Sequence, residues 1–97
     1  MGLKPMNDIS ANPPSSVLRA RLLTLIAQIL NKADAHGLPV DARLSELGMS
    51  SIKMVNLMLA VEAEFDLSIP QNDITPENFR SVASIEILLA RLLTLKP

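Results

Sequence analysis

The apolar positions divide this chain into three amphipathic segments separated by loops. In the first segment, apolar residues recur every three or four positions: Leu18, Leu22, Leu25, Ile26, Ile29, Leu30 and Ala33. This spacing is typical of one face of an α-helix and predicts a helix over residues 16–34, with Ser15 or Ser16 as its N-cap. We expect Gly37 and Pro39 to end this helix.

The second segment begins at two adjacent serines, Ser50 and Ser51, and ends near Phe65 and Asp66. The spacing predicts an inner edge at Ile52, Val55, Leu59 and Val61 or Glu62, with Leu57 and Met58 widening the apolar arc. A core position in so small a fold is sensitive to truncation. On this assignment, Leu59→Ala or Phe65→Ala costs about 2–5 kcal/mol through cavity formation.

The third segment is preceded by the helix-start sequence TPENF, in which Thr75 is the expected cap and Pro76 the first helical residue. This helix has room for about one turn, after which Ser81 can cap the last helix. In the last helix, the spacing predicts that five apolar residues face inward: Val82, Ile85, Leu88, Leu89 and Leu92. No alternation typical of strands is present. We therefore predict an all-α protein, a small four-helix bundle with three long helices and one short helix.

Two other regions complete the predicted organisation. Residues 1–15 are polar and contain three prolines, which predicts a flexible leader before a single helical domain over residues 16–97. Residues 35–50 form a long first loop, and such loops are uncommon unless functional or packed by their own side chains. Four apolar residues can pack this loop onto the core: Leu38, Val40, Leu44 and Leu47.

Composition narrows the possible functions. The chain has 97 residues, a net charge of −1 and no cysteine, so disulfides and thiol catalysis are excluded. The charge argues against nonspecific nucleic-acid binding. No apolar run is long enough for a membrane span, and the N-terminus has no apolar signal core. We expect a cytoplasmic monomer that neither binds nucleic acid nor inserts into membranes.

The serine pair admits three interpretations. Ser50 or Ser51 can simply cap the second helix. A catalytic serine is disfavoured because His36 is the only histidine and lies in a predicted loop. Alternatively, a serine at a helix N-terminus can accept a phosphodiester, since the helix dipole favours negative charge there and Gly48 leaves the approach open. Local chemistry permits this third interpretation without selecting it.

A longer pattern resembles a known family. The sequence LSELGMSSIKMVNLMLAVEAEFDLSIP is similar to the centre of an acyl carrier protein, and ITPENFRSVASI resembles that family's short third helix and the start of its fourth. The matching positions fall in place without gaps: Leu44, Glu46, Leu47, Gly48, Ser51, Ile52, Phe65, Ile69 and Pro70. The similarity covers about residues 16–95.

The resemblance implies that Ser51 receives 4′-phosphopantetheine from coenzyme A through a phosphopantetheinyl transferase. The thiol of this covalent cofactor then carries acyl intermediates as thioesters between enzymes of fatty acid, polyketide or related biosynthesis. The implied partners are acyl-loading and acyl-transferring or condensing enzymes, and the chain itself is not an enzyme. The predicted partner-binding residues are Met49, Ser50, Ile52, Lys53, Met54, Asn56, Leu57 and Glu62.

Two departures from the family pattern distinguish this chain. Ser50 stands where the family has Asp, and Lys53 and Asn56 stand where carboxylates are typical. Such carboxylates meet basic patches on partner enzymes, so their loss predicts a specialised carrier. The sequence leaves its cargo open among a polyketide, a modified fatty acid and an aminoacyl group. The far end of the second helix keeps some negative charge, but its alternate acidic positions do not converge on a metal site. A helical interaction module, or a degenerate carrier without the prosthetic group, remains the alternative.

Overall fold

The computed structural model describes residues 15–95, apart from the side chains of Ser15, Ser16 and His36. Its three long helices are α1 at Ser15–Leu30, α2 at Ser51–Phe65 and α3 at Val82–Leu95. Short 3₁₀ turns lie between them at Ala35–Gly37, Leu44–Leu47 and Gln71–Asp73. No strand occurs over residues 15–95, so the predicted all-α class is confirmed. The predicted leader lies almost wholly outside the described residues.

Helix α1 is shorter than the sequence pattern predicted. It ends at Leu30 rather than near residue 34. Asn31 adopts a left-handed conformation with φ 60°, and the Lys32 N–H donates to the Ala27 carbonyl oxygen at 2.8 Å. Asparagine tolerates this conformation better than most residues, so it ends the helix before Gly37 is reached. Ser15 and Ser16, one of which was predicted to be the N-cap, both lie within the described helix.

Helix α2 presents a different face to the core from the one predicted. Its buried residues are Leu57, Val61 and Phe65. The predicted inner edge is wrong at three positions: Ile52, Val55 and Leu59 have exposed fractions of 76%, 54% and 60%. The helix carries apolar residues on both sides, so periodicity alone could not tell which side faces the core.

Helix α3 follows its prediction closely. The five residues expected to face inward are all buried, and Leu93 joins them: Val82, Ile85, Leu88, Leu89, Leu92 and Leu93. They pack with α1 around the fully buried Leu22 and Ile26, so the core is almost entirely aliphatic. Neither α3 nor any other described helix is long and apolar enough to cross a membrane.

The predicted short helix is a single turn held by its cap. The Thr75 Oγ1 accepts from the Asn78 N–H at 3.2 Å, and the Phe79 N–H donates to the Thr75 carbonyl oxygen at 3.2 Å. Ser81 then caps α3, because its Oγ accepts from the Ser84 N–H at 3.1 Å. Both caps predicted from the sequence are confirmed, and together they fix the entry into α3.

The long first loop is fastened to the start of α3. The Leu44 N–H donates to the Arg80 carbonyl oxygen at 2.8 Å, and the Ala83 N–H donates to the Val40 carbonyl oxygen at 2.9 Å. Leu38 and Leu44 are buried beneath the loop, as predicted. The loop therefore forms a fixed wall beside the N-terminal end of α2.

Candidate functional site

The two serines at the start of α2 have different structural roles. Ser50 is the N-cap, with extended backbone angles of φ −80° and ψ 171°, and its Oγ accepts from the Lys53 N–H at 3.2 Å. Its carbonyl oxygen also accepts the first helical bond, from the Met54 N–H at 2.8 Å. The capping role that the sequence left open between the two serines therefore belongs to Ser50.

Ser51 is the first residue of α2 and is exposed. Its hydroxyl has no hydrogen-bond partner among residues 15–95. A helix leaves its first N–H groups without partners inside the helix, and here the Ser50 side chain takes only that of Lys53. The Ser51 hydroxyl thus lies open to solvent at the positive end of the helix dipole.

The backbone just before the serines turns sharply at Gly48. This residue ends the Leu44–Leu47 turn with φ 103° and ψ 11°, and its N–H donates to the Ser45 carbonyl oxygen at 3.3 Å. This left-handed conformation is one that residues with a Cβ rarely adopt. A Cβ built at Gly48 would meet no atom within 4 Å, so the approach to the serines is uncrowded, as the sequence predicted.

Ser51 is one of the residues that line an open groove of about 510 Å³. Its floor includes Met54, Val55 and Met58, which share a face of α2 with Ser51 because they follow it at three, four and seven positions. Phe79, from the single turn before α3, also lines the groove. Hydrophobic periodicity did not indicate this groove, because its walls come from segments far apart in the chain.

The groove has a basic rim. Arg43 and Arg80 are exposed and line it, and none of the described residues that line it is acidic. Sequence reasoning missed both arginines. The two arginines lie close together because the first loop is hydrogen-bonded to the start of α3. Hydrophobic periodicity does not reveal this pairing. The site at Ser51 suits an anionic phosphodiester, because it combines an exposed hydroxyl with the free N–H groups of the helix and two arginines.

The acidic residues of α2 are used within the fold. Glu62 is half-buried, and its Oε2 accepts from the Ile69 N–H at 2.8 Å. Glu64 Oε2 accepts from the Arg21 Nε at 2.7 Å, and the Arg21 guanidinium lies 4.8 Å from the Phe65 ring centroid. These contacts hold α2 to α1 and to the following loop. The negative charge expected to face partners is therefore largely committed to internal contacts.

Two of the predicted partner-binding residues need correction. Met49 and Leu57 have exposed fractions of 6% and 0%, because both side chains belong to the buried core. Ser50, Ile52 and Asn56 are exposed. Three others are half-buried: Lys53, Met54 and Glu62. Contact of any of them with a partner stays a prediction.

The described residues hold no cluster of side chains suited to binding a metal ion. Among residues 15–95, no three His, Asp or Glu side chains lie together as metal ligands would. The side chain of His36 lies outside the described part of the structure. The helix-start serine and its groove are therefore the feature around which a function can be argued.

A small helical domain whose second long helix begins at an exposed serine is the architecture of a carrier protein. A family model described as phosphopantetheine attachment site matches residues 20–89. The chain therefore belongs to this family of carrier proteins, whose cofactor is covalently attached 4′-phosphopantetheine. The resemblance noted in the sequence is confirmed at the level of the carrier family.

Curated relatives narrow the comparison. Aminoacyl carrier protein 1 of Bradyrhizobium diazoefficiens is 50% identical over 70 residues, which cover 71% of this chain and 78% of the relative. Aminoacyl carrier protein 2 of the same organism is 48% identical over 73 residues, covering 71% and 79%.

A solved structure shows a similar fold in a complex. It is the crystal structure of the Bradyrhizobium japonicum glycine:[carrier protein] ligase complexed with glycylated carrier protein. One of its chains is 43% identical to this protein with a TM-score of 0.67, covering 74% of this chain and 97% of that one.

Proposed function

We propose that this protein carries an amino acid on a 4′-phosphopantetheine arm attached to Ser51. The observation that carries the assignment to Ser51 is the division of roles between the serines. Ser50 Oγ is occupied as the cap of α2, at 3.2 Å from the Lys53 nitrogen, whereas the Ser51 hydroxyl is exposed and has no partner over residues 15–95.

The proposed attachment step uses the Ser51 hydroxyl as the nucleophile. The Ser51 oxygen bonds to the coenzyme A phosphorus that bears pantetheine, and the pyrophosphate bond breaks. Adenosine 3′,5′-bisphosphate leaves, and the hydroxyl proton passes to a base of the transferase. The dipole and free N–H groups at the start of α2 stabilise the anionic product. Once attached, the arm supplies a thiol that holds the cargo as a thioester.

An aminoacyl cargo, which the sequence left open beside a fatty acid or polyketide, is the one that the relatives favour. Two relatives that are 48–50% identical are aminoacyl carriers, and the similar solved structure contains a glycylated carrier. The acidic residues of α2 are bonded within the fold, so they leave little free acidic surface to attract basic partner enzymes. This also favours a specialised carrier. We assign glycine or another small amino acid as the cargo, loaded by a dedicated ligase.

The cargo assignment predicts a two-step gain in mass. With coenzyme A and a broad-specificity phosphopantetheinyl transferase, the full chain gains one phosphopantetheine, and fragmentation places it on Ser51. With ATP, glycine and the Bradyrhizobium ligase, the holo protein then gains one glycyl group. The apo protein is the matched control and gains none. No addition with any transferase would favour the interaction module, and equal loading by fatty acid synthase enzymes would contradict the aminoacyl cargo.

The loading enzyme is expected to dock on the exposed apolar stripe of α2, defined by Ile52, Val55 and Leu59. These residues begin directly after Ser51 and are more than half exposed. A stripe of this kind beside the attachment point suits a partner with an apolar docking surface.

Truncating this stripe is expected to slow loading. Ile52→Ala and Leu59→Ala should each lower kcat/KM for glycylation about fivefold or more, because central apolar contacts carry most interface energy. Ile87→Ala is the matched control, since Ile87 is 70% exposed but lies on α3. Intact-mass time courses measure the rates. Equal slowing by all three variants would show that the α2 stripe is not the docking surface.

A further inference from the structure

Two arginines without partners flank the groove beside Ser51. Arg43 precedes the Leu44–Leu47 turn, and Arg80 lies two residues before α3. The 2.8 Å hydrogen bond from the Leu44 N–H to the Arg80 carbonyl oxygen keeps their backbones adjacent. Over residues 15–95, neither guanidinium has a hydrogen-bond or ion-pair partner, whereas the other three arginines each hold an ion pair.

Beside these arginines, the groove is lined by apolar side chains of α2. Met54 and Met58 are half-buried and Val55 is exposed, and all three lie on the same face of α2 as Ser51. Methionine side chains repack around irregular guests more readily than branched ones. The groove therefore runs along the helix from the attachment point, with cationic groups at its edge and an apolar surface along its length.

We propose that this groove holds the phosphopantetheine arm of the resting carrier, with Arg43 and Arg80 binding the phosphodiester. The inference rests on attachment at Ser51. Guanidinium groups match phosphate oxygens by paired hydrogen bonds, and the hydrocarbon of the arm lies over Met54, Val55 and Met58. The arm is the one occupant whose negative charge and starting point both fit the groove.

The same charges orient an aminoacyl cargo. Its free amino group is cationic, so the two arginines repel the loaded end while they attract the phosphodiester. The contacts of exposed charges are weak and screened by salt, which lets a docked enzyme draw the arm out. The groove thus holds the arm near the surface and leaves the amino acid accessible.

Nuclear Overhauser contacts test this arrangement without measuring activity. Intact mass first verifies that each sample is fully holo, so a failure of attachment is seen separately from a failure of the groove. In protein with ¹³C-labelled methionine methyl groups, the arm should show contacts to Met54 and Met58. These contacts should weaken about three- to tenfold in the R43Q/R80Q variant, because charge-assisted bonds to the phosphodiester are lost.

Lys53→Gln is the matched control, since it removes a positive charge near Ser51 from a residue that does not line the groove. It should leave the contacts unchanged, and circular dichroism checks that all variants are folded. Absence of contacts in wild-type holo protein would overturn the proposal. Contacts that persist at full strength in R43Q/R80Q would overturn the role of the arginines. This holds even if the ligase loads that variant more slowly than the wild-type protein.

Discussion

Ser51→Ala is expected to abolish phosphopantetheine attachment completely, whereas Ser50→Ala is expected to retain it. The two hydroxyls are adjacent in the chain, but only that of Ser50 is bound, to the Lys53 N–H. Removing the Ser51 oxygen removes the acceptor atom and no described contact of the fold. Removing the Ser50 oxygen leaves the acceptor in place and costs about 1 kcal/mol through loss of the cap.

Intact mass after incubation with transferase and coenzyme A measures the first effect, and thermal unfolding of the apo proteins measures the second. Ser51→Ala should unfold near the wild-type temperature, while Ser50→Ala should unfold about 4–8 °C lower. Attachment that survives in Ser51→Ala, or that disappears only in Ser50→Ala, would show that Ser51 is not the attachment site. A large loss of stability in Ser51→Ala would show a structural role that the geometry does not reveal.

Leu57→Ala is expected to destabilise the fold by about 2–5 kcal/mol, whereas Leu59→Ala changes stability by about 0.5 kcal/mol or less. Leu57 is fully buried between the helices, so its truncation leaves a cavity. Leu59 is 60% exposed, so its truncation removes little packing. The pair is well matched because both variants make the same chemical change on the same helix.

Urea unfolding followed by circular dichroism gives the two free energies. A domain of this size is stable by about 5–15 kcal/mol, so Leu57→Ala removes a substantial part of the total. The sequence pattern alone predicted the large effect at Leu59, so the experiment separates the two views of α2. If Leu59→Ala were the more destabilising change, the orientation of α2 described above would be wrong.

The parts of the fold set by local chemistry were predictable from sequence. Thr75 and Ser81 have the hydroxyl that a helix cap needs, and both cap as expected. The inward face of α3 was also correct, because the apolar residues predicted to face inward recur at helical spacing and are all buried. Each of these features depends on neighbours within a few positions, which a single sequence displays directly.

Other features depend on tertiary contacts and were missed. Helix α2 is apolar on two sides, and only packing against α1 and α3 decides that Leu57 is inside and Leu59 outside. The end of α1 was placed too late because Asn31 is a less obvious stop than Gly37. Arg43 and Arg80 come together only through a hydrogen bond between distant segments. The second apolar side of α2, misassigned to the core, is the surface now expected to meet the loading enzyme.

The prediction of Ser51 as the attachment site came from a long pattern of residues, not from the serine itself. A Ser-Ser pair before a helix is common and favours an ordinary cap, and one of the two serines is indeed the cap. The structure resolves which serine is bound and which is open. The proposed aminoacyl cargo rests on the relatives and not on these two serines.

The fastening of the first loop to the start of α3 has an energetic consequence for every ligand of this surface. Ordering a mobile backbone costs roughly 1–2 kcal/mol per residue at room temperature. With Val40 and Leu44 already tied by main-chain hydrogen bonds, that entropy is lost during folding and not at each encounter. Such preorganisation lowers the entropic cost of binding for any partner that contacts this surface.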